Sequence, residues 1–391
     1  MKRSLQFATS RRDLLFAASA VSLIAVTYGL ARLGYGLFLP AFSASFPLPP
    51  AVSGLLAAGA SVLYCVSAGI GFRFAQGHPR AVTLLAGLSA ALGSIGIAGA
   101  QTTPIFAAGV LLAGTGAGFA SPALVELVQR NTAPEARGRL QSVVNSGTGF
   151  GVVLAGALSL VLGEAWRMAW ALVAVLAVTS MLAVLRLDGS AAAPAAPPRP
   201  APSLVARSSR RGLARPLCGA FVFGIGCAAV WVYGRSTLEQ SGGMSEELSA
   251  GAWIALGLGG AGATLVSRWL AGRSVPAAWS LTTLATAAAT ALLGTVPDSL
   301  LLAYAASALF GLAYTAATSV LILWASTTDA GSAAGTSLLF TSLVLGQAAG
   351  APLTGFLLQQ GGATLAFAVA ALACAASTAA AAPIRVKVRV E

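Results

Sequence analysis

Charge is scarce in this chain. Charged side chains make up 9% of its 391 residues, against roughly a quarter in soluble domains, while 57% of residues are hydrophobic and mean hydropathy is +0.83. One histidine and 11 carboxylates leave little material for acid–base chemistry. A membrane-embedded hydrolase needs a nucleophile beside a base, and His78, assigned to a loop, supplies no such pair. There is no GxxxxGK[ST] phosphate loop, so ATP is not expected as a direct energy source. The four cysteines (Cys65, Cys218, Cys227, Cys374) lie in apolar stretches without metal-ligand spacing and read as small buried hydrophobes. Neither a metal nor a cofactor is expected, and the chain is not read as an enzyme.

What remains is apolar sequence in long runs. A membrane helix needs about 20 mostly apolar residues. Twelve segments qualify, near 18–41, 50–72, 80–100, 104–129, 139–162, 166–186, 215–238, 247–270, 275–296, 299–323, 332–358 and 363–383. The fold class is therefore all-α and polytopic, with the lipid bilayer as solvent.

The net charge of +12 invites a nucleic-acid reading, but its placement argues for topology instead. With both termini cytoplasmic, all but three of the 23 Lys and Arg fall on the cytoplasmic side, the exceptions being Arg32, Arg167 and Arg235. That is the positive-inside bias, and it places the chain in an inner membrane with an even number of spans. Nucleic acid is not expected as a partner, and a monomer is. Ser10-Arg11-Arg12-Asp13-Leu14-Leu15, followed by Ala18-Ser19-Ala20, has the form of a twin-arginine export signal. The apolar run continues past the 7–15 residues of a signal, and cleavage would break the even count.

The chain also repeats itself. A shift of 195 residues lays Gly29 on Gly224 and Arg73-x-x-x-Gly77 on Arg268-x-x-x-Gly272. A shift of 197 lays Gly114 on Gly311, Gly138 on Gly335 and Gly149 on Gly346. A Pro/Ala/Arg-rich stretch at 187–214 reads as a cytoplasmic linker between two six-span halves, 1–186 and 215–391.

Parallel six-span repeats resemble the plan of the major facilitator superfamily. Gly71-Phe-Arg73-Phe-Ala-Gln-Gly77-His-Pro-Arg80 is similar to that superfamily's glycine/basic loop motif, though Phe74 stands where the acid is expected. Gly147-Thr-Gly149-Phe-Gly151-Val-Val-Leu-Ala-Gly156 resembles the glycine-rich motif of its antiporter branches, with Val152 in place of a proline. Span one and Arg137-Gly138-Arg139 are similar to the cyanate-permease-like and sugar-efflux-like branches. The resemblance implies a secondary transporter working by alternating access, with spans one, four, seven and ten around a central cavity.

Within that frame Arg32 is the leading substrate contact. It is the cation placed deep in a span, between Gly29, Gly34 and Gly36 and flanked by Tyr28 and Tyr35. A charge at membrane depth costs at least about 2.5–3.5 kcal/mol and usually faces a protein interior or aqueous cavity. The alternatives are a structural cation on backbone carbonyls or one that snorkels outward. The repeat places Cys227 opposite it, an asymmetry that favours a ligand-facing role. Tyr314, midway along span ten, and Asn145 complete the candidate binding set, although Asn145 and Gln347 equally fit helix–helix glue. Glu126 is the candidate proton carrier, since burial raises a carboxylate's pKa. Arg130 sits one turn on, so the two equally fit a gate ion pair. Trp231 and Tyr233 fit either an interfacial belt or a cavity wall, and Arg235 and Glu239 should pair at the outer surface.

The expected function is proton-coupled efflux of a small polar or anionic solute. Proton-coupled uptake of an organic anion is the alternative, and a non-transporting sensor or scaffold on the same fold is the reading from another class.

Overall fold

The computed structural model describes residues 11–189, 207–327 and 333–382. Among these there is no strand. In lipid every backbone polar group must be satisfied within the chain, and a helix does this segment by segment. The helices are α1 (Arg11–Ser45), α2 (Pro50–Phe74), α3 (Pro79–Gly99), α4 (Thr103–Asn131), α5 (Pro134–Leu162), α6 (Trp166–Leu187), α7 (Arg207–Gln240), α8 (Glu246–Ala271), α9 (Val275–Thr295) and α10 (Leu300–Ser326). The run Ala333–Ala376 is two helices, α11 and α12, which meet at Gly362.

Proline sets many of the starts. Helices α2, α3, α4, α5 and α9 each carry one in the first two positions, where its missing N–H costs no hydrogen bond. Gly362 marks the sharpest turn, with φ 72° and ψ −173°, a conformation reserved for glycine.

The twelve expected spans are all present, with two changes at the edges. The first helix already includes Arg11, ahead of the expected edge. The seventh already includes Arg207, inside the stretch assigned to the linker. Most of that stretch lies outside the described residues.

The half-chain repeat shows in the packing. Gly151 of α5 lies against Gly29 of α1, and a Cβ on Gly151 would stand 2.8 Å from the Gly29 Cα. In the second half Gly346 of α11 lies against Gly224 of α7, where the corresponding distance is 3.1 Å. The contact equivalent of Gly346 is therefore Gly151, not Gly149. Gly149 instead faces Gly257 and Ala261 of α8. Likewise Gly114 packs on Ala60 of α2, while Gly311 packs on Leu256 and Gly260 of α8. Small residues let helices approach closely in lipid, where apolar burial offers no drive.

The two sets of six helices meet through α2 with α11, α5 with α8, and α1 with α7. Odd-numbered helices run away from the end that holds Arg11 and Leu187. That end is called proximal below, and the opposite end distal.

Candidate functional site

The centre of α1 is not α-helical. Ala25–Arg32 is wound as a π-helix, and Leu33 N–H donates to Tyr28 O, five residues back, at 2.9 Å. Locally the sequence is Ala-Val-Thr-Tyr-Gly-Leu-Ala-Arg, with nothing that demands a wide turn. Its position coincides with the crossing of α5, whose Gly147 and Gly151 press on the backbone of Val21, Ala25 and Gly29. Widened turns of this kind are frequent at functional sites. This one ends on Arg32.

Arg32 is half-buried and joins the two halves. Its Nη2 donates to Gln347 Oε1 on α11 at 3.2 Å, and Gln347 Nε2 donates to Tyr314 on α10 at 3.2 Å. The guanidinium carbon stands 4.5 Å from the ring centroid of Tyr64 on α2. The Tyr64 and Tyr28 hydroxyls are hydrogen-bonded at 2.8 Å. Tyr314 stacks on Phe310 (centroids 5.8 Å, 12°) and meets Trp231 edge-on (5.3 Å, 75°). Among the described residues Arg32 forms no ion pair with a carboxylate.

A cavity of about 50 Å³ opens beside Arg32, bordered by Tyr35, Ala60, Trp170, Trp231 and Gln347. Tyr35 presents its ring there, because its hydroxyl is already committed to Ser53 O at 3.1 Å. The central cluster is thus Arg32, Tyr28, Tyr35, Tyr64, Tyr314 and Gln347. Tyr28, Tyr35 and Tyr314, expected as binding residues, lie in this cluster, and of the three Tyr35 borders the cavity.

Other candidates lie elsewhere. Cys227 is fully buried and does not border the cavity. The repeat set its height opposite Arg32 but not its direction. Asn145 is exposed on α5 and accepts from Gln141 at 3.1 Å, also away from the cavity. Glu126 is half-buried near the proximal end of α4.

The alternative gate ion pair between Glu126 and Arg130 does not form. Arg130 pairs with Asp188 instead, as does Arg80 at 3.0 Å, and Asn131 donates to the same carboxylate at 2.8 Å. Asp188, assigned by sequence to the linker, is an anchor that ties α3, α4 and α6 together. Burial pushes its pKa up, but the Asn131 hydrogen bond and the Arg130 guanidinium outweigh that and hold it below the usual carboxylate range. Arg73 and Gly77 are exposed, and a Cβ on Gly77 would meet nothing within 4 Å.

At the distal end hydrogen bonds join the two halves. The single Tyr233 hydroxyl proton is shared between Pro50 O at 2.7 Å and Ala351 O at 3.0 Å, stapling α7 to α2 and α11. Arg235 is 5% exposed. It reaches across the halves to Leu37 O at 2.8 Å and Ser159 Oγ at 2.6 Å, and also pairs with Glu239 at 2.6 Å. The pair expected at the surface therefore exists but is interior. Tyr233 and Trp231 are buried as well, not interfacial.

Three contributors escaped the sequence. Tyr64 had one usable signal, a tyrosine far from either predicted end of its span. Trp170 and Asp188 had none, because their roles arise from helices distant in sequence.

No curated protein sequence matches the chain. Its fold is similar to that of a bacterial homologue of the human lysosomal transporter Spinster in an inward-facing, unoccupied conformation (TM-score 0.68, 14% identity, covering 96% of this chain and 95% of that one). It is also similar to a D-xylose–proton symporter (TM-score 0.75, 12% identity, 94% and 97%). A point mutant of the nucleoside transporter NupG matches comparably (TM-score 0.69, 13% identity, 95% and 97%). At these identities the likeness concerns the fold alone. The family model described as Major Facilitator Superfamily matches residues 21–335. Twelve spans in two packed sets of six, with a cavity between them and this match over most of the sequence, lead to one conclusion: the chain is a multi-pass membrane transporter that belongs to the major facilitator superfamily.

Proposed function

We propose that the chain moves a small anionic solute by alternating access, coupled to protons and in the direction of export. The observation that carries this reading is Arg32, a cation on the cavity wall between the halves that holds Gln347 and Tyr64 but no carboxylate. A buried charge without a counter-ion is costly, and a solute anion supplies the missing partner. The contacts that Tyr233 and Arg235 make across the halves at the distal end support an alternating cycle in which they form and release in turn. Glu126 is the proposed proton carrier. It stands near the proximal end with no ion pair among the described residues.

Export and coupling rest on the glycine motif of α5, whose Gly147 and Gly151 are seated on the π-turn that carries Arg32. Arg32 would serve uptake of an organic anion equally well. We further propose that the proximal end with both termini faces the cytoplasm of an inner membrane, that the two halves are 1–186 and 215–391, and that the protein works as a monomer without nucleic acid. Reconstituted vesicles with an imposed proton gradient test the direction. Export predicts solute movement against proton entry; movement with the proton establishes uptake.

A further inference from the structure

Two tryptophans on the cavity wall each carry a buried indole N–H with nothing to donate to. Trp170 of α6 and Trp231 of α7 are 1% and 8% exposed, and both line the wall that holds Arg32. Neither indole N–H has an acceptor among the described residues. A buried N–H left without an acceptor forfeits its hydration and is destabilising. Trp253 shares this defect but lies outside this wall.

The other polar groups nearby are already engaged. Tyr35 donates to Ser53 O, and Gln347 uses its oxygen for Arg32 and its nitrogen for Tyr314. Ser61 adds a hydroxyl of either sense. Apart from the Ser61 hydroxyl and the remaining lone pairs of Tyr35 and Gln347, the unspent capacity of the wall is donor capacity. A sugar, alcohol or amine would bring donors of its own and find few acceptors. An ionised carboxylate brings acceptors alone.

Charge and volume narrow the class further. Arg32 is the one cation on the wall, so a second carboxylate would go unpaired. The rest of the wall includes Ala31, Ala57, Ala60 and Ala228, which suit a short aliphatic tail. We propose that Trp170 and Trp231, one from each half, donate their indole N–H groups to the carboxylate of a short-chain monocarboxylate that Arg32 neutralises. This rests on the reading of Arg32 as the solute's counter-charge and adds the class of solute and two binding residues.

The test is titration of the purified full-length protein in nanodiscs with propionate, propionamide and succinate, followed by calorimetry. Propionate should bind, while propionamide and succinate bind at least tenfold more weakly. Trp170→Phe and Trp231→Phe should each raise the propionate Kd about tenfold or more, the loss of one hydrogen bond to a charged group. Trp253→Phe should leave it unchanged. Independently of any variant, propionate should shift two of the seven Trp indole N–H resonances in 15N-labelled wild-type protein. Propionamide binding as well as propionate would overturn the inference. So would wild-type affinity in both tryptophan variants with unmoved indole resonances. If Arg32→Gln still abolishes propionate binding in that case, the anion reading stands and the indole assignment alone falls. If wild type binds no anion, both fall.

Discussion

Gly29 on α1 and Gly151 on α5 touch backbone to backbone, and a Cβ on Gly151 would stand 2.8 Å from the Gly29 Cα. The contact sits within the π-turn that ends on Arg32. Packing between two helices distant in sequence and the placement of the central cation are therefore one feature. Gly151→Ala should push the helices apart and displace Arg32. A clash with rigid backbone costs at least the roughly 1–3 kcal/mol typical of overpacking. The expected result is a lower Tm together with loss of most transport, read by differential scanning fluorimetry and vesicle uptake. Full transport in a destabilised variant would separate the turn from function.

Arg32→Gln keeps a polar group and removes the charge. Loss of a charge-assisted hydrogen bond is worth about 1.5–3 kcal/mol, so transport efficiency for an anionic solute should fall at least about tenfold. Arg32→Lys should restore part of the loss, since it keeps the charge but not the planar stacking on Tyr64. Flux measurements on the three proteins decide.

Glu126→Gln should abolish solute accumulation driven by a proton gradient while leaving solute–solute exchange intact. Exchange needs only the loaded carrier to reorient, whereas accumulation needs the proton. Retention of gradient-driven accumulation would remove Glu126 from the coupling step.

Arg235 and Glu239 form an interior pair at the distal seam, with side chains 5% and 14% exposed. Arg235→Met should destabilise the protein by about 3–5 kcal/mol, since it strands the Glu239 charge. Arg235→Met combined with Glu239→Leu should recover much of that loss. A double-mutant cycle in thermal denaturation measures the coupling. Additive effects would mean that the pair does not act as a unit.

The Asp188 clasp should depend on pH in one direction. Its folded-state carboxyl titrates below the usual range, so the stability it adds is fully present above an unfolded-state pKa of about 3.9. That stability is lost as pH falls through the folded value. Between neutral pH and pH 5, wild type should therefore show no change from this group. Asp188→Asn should lower Tm throughout that window and converge with wild type in stronger acid.

Much of this molecule was legible in its sequence, and the limits follow from side-chain direction. Run length and composition located every span, because a bilayer leaves the backbone no alternative to helix. The offset of about half the chain exposed the repeat, since both halves need glycine at matching crossings. Arg32 was conspicuous because a charge among apolar residues is costly whatever surrounds it. Cys227 and Asn145 show where this reasoning ends. Repeat alignment fixes height along a helix but not which neighbour a side chain meets. In helices apolar on every face, periodicity carries no azimuth.

The sequence by itself determined the helical class, the twelve spans, the twofold repeat and the central cation. Only the tertiary structure decided what that cation meets: Gln347, Tyr64 and a cavity edged by two unpartnered indoles. It also moved the Arg235–Glu239 pair from the surface into the seam between the halves. The reason is physical. Hydrophobicity and charge are costs of single residues against lipid and can be read one position at a time. Hydrogen-bond partners and wide helical turns come from contacts between segments far apart in sequence, and they exist only once those segments pack.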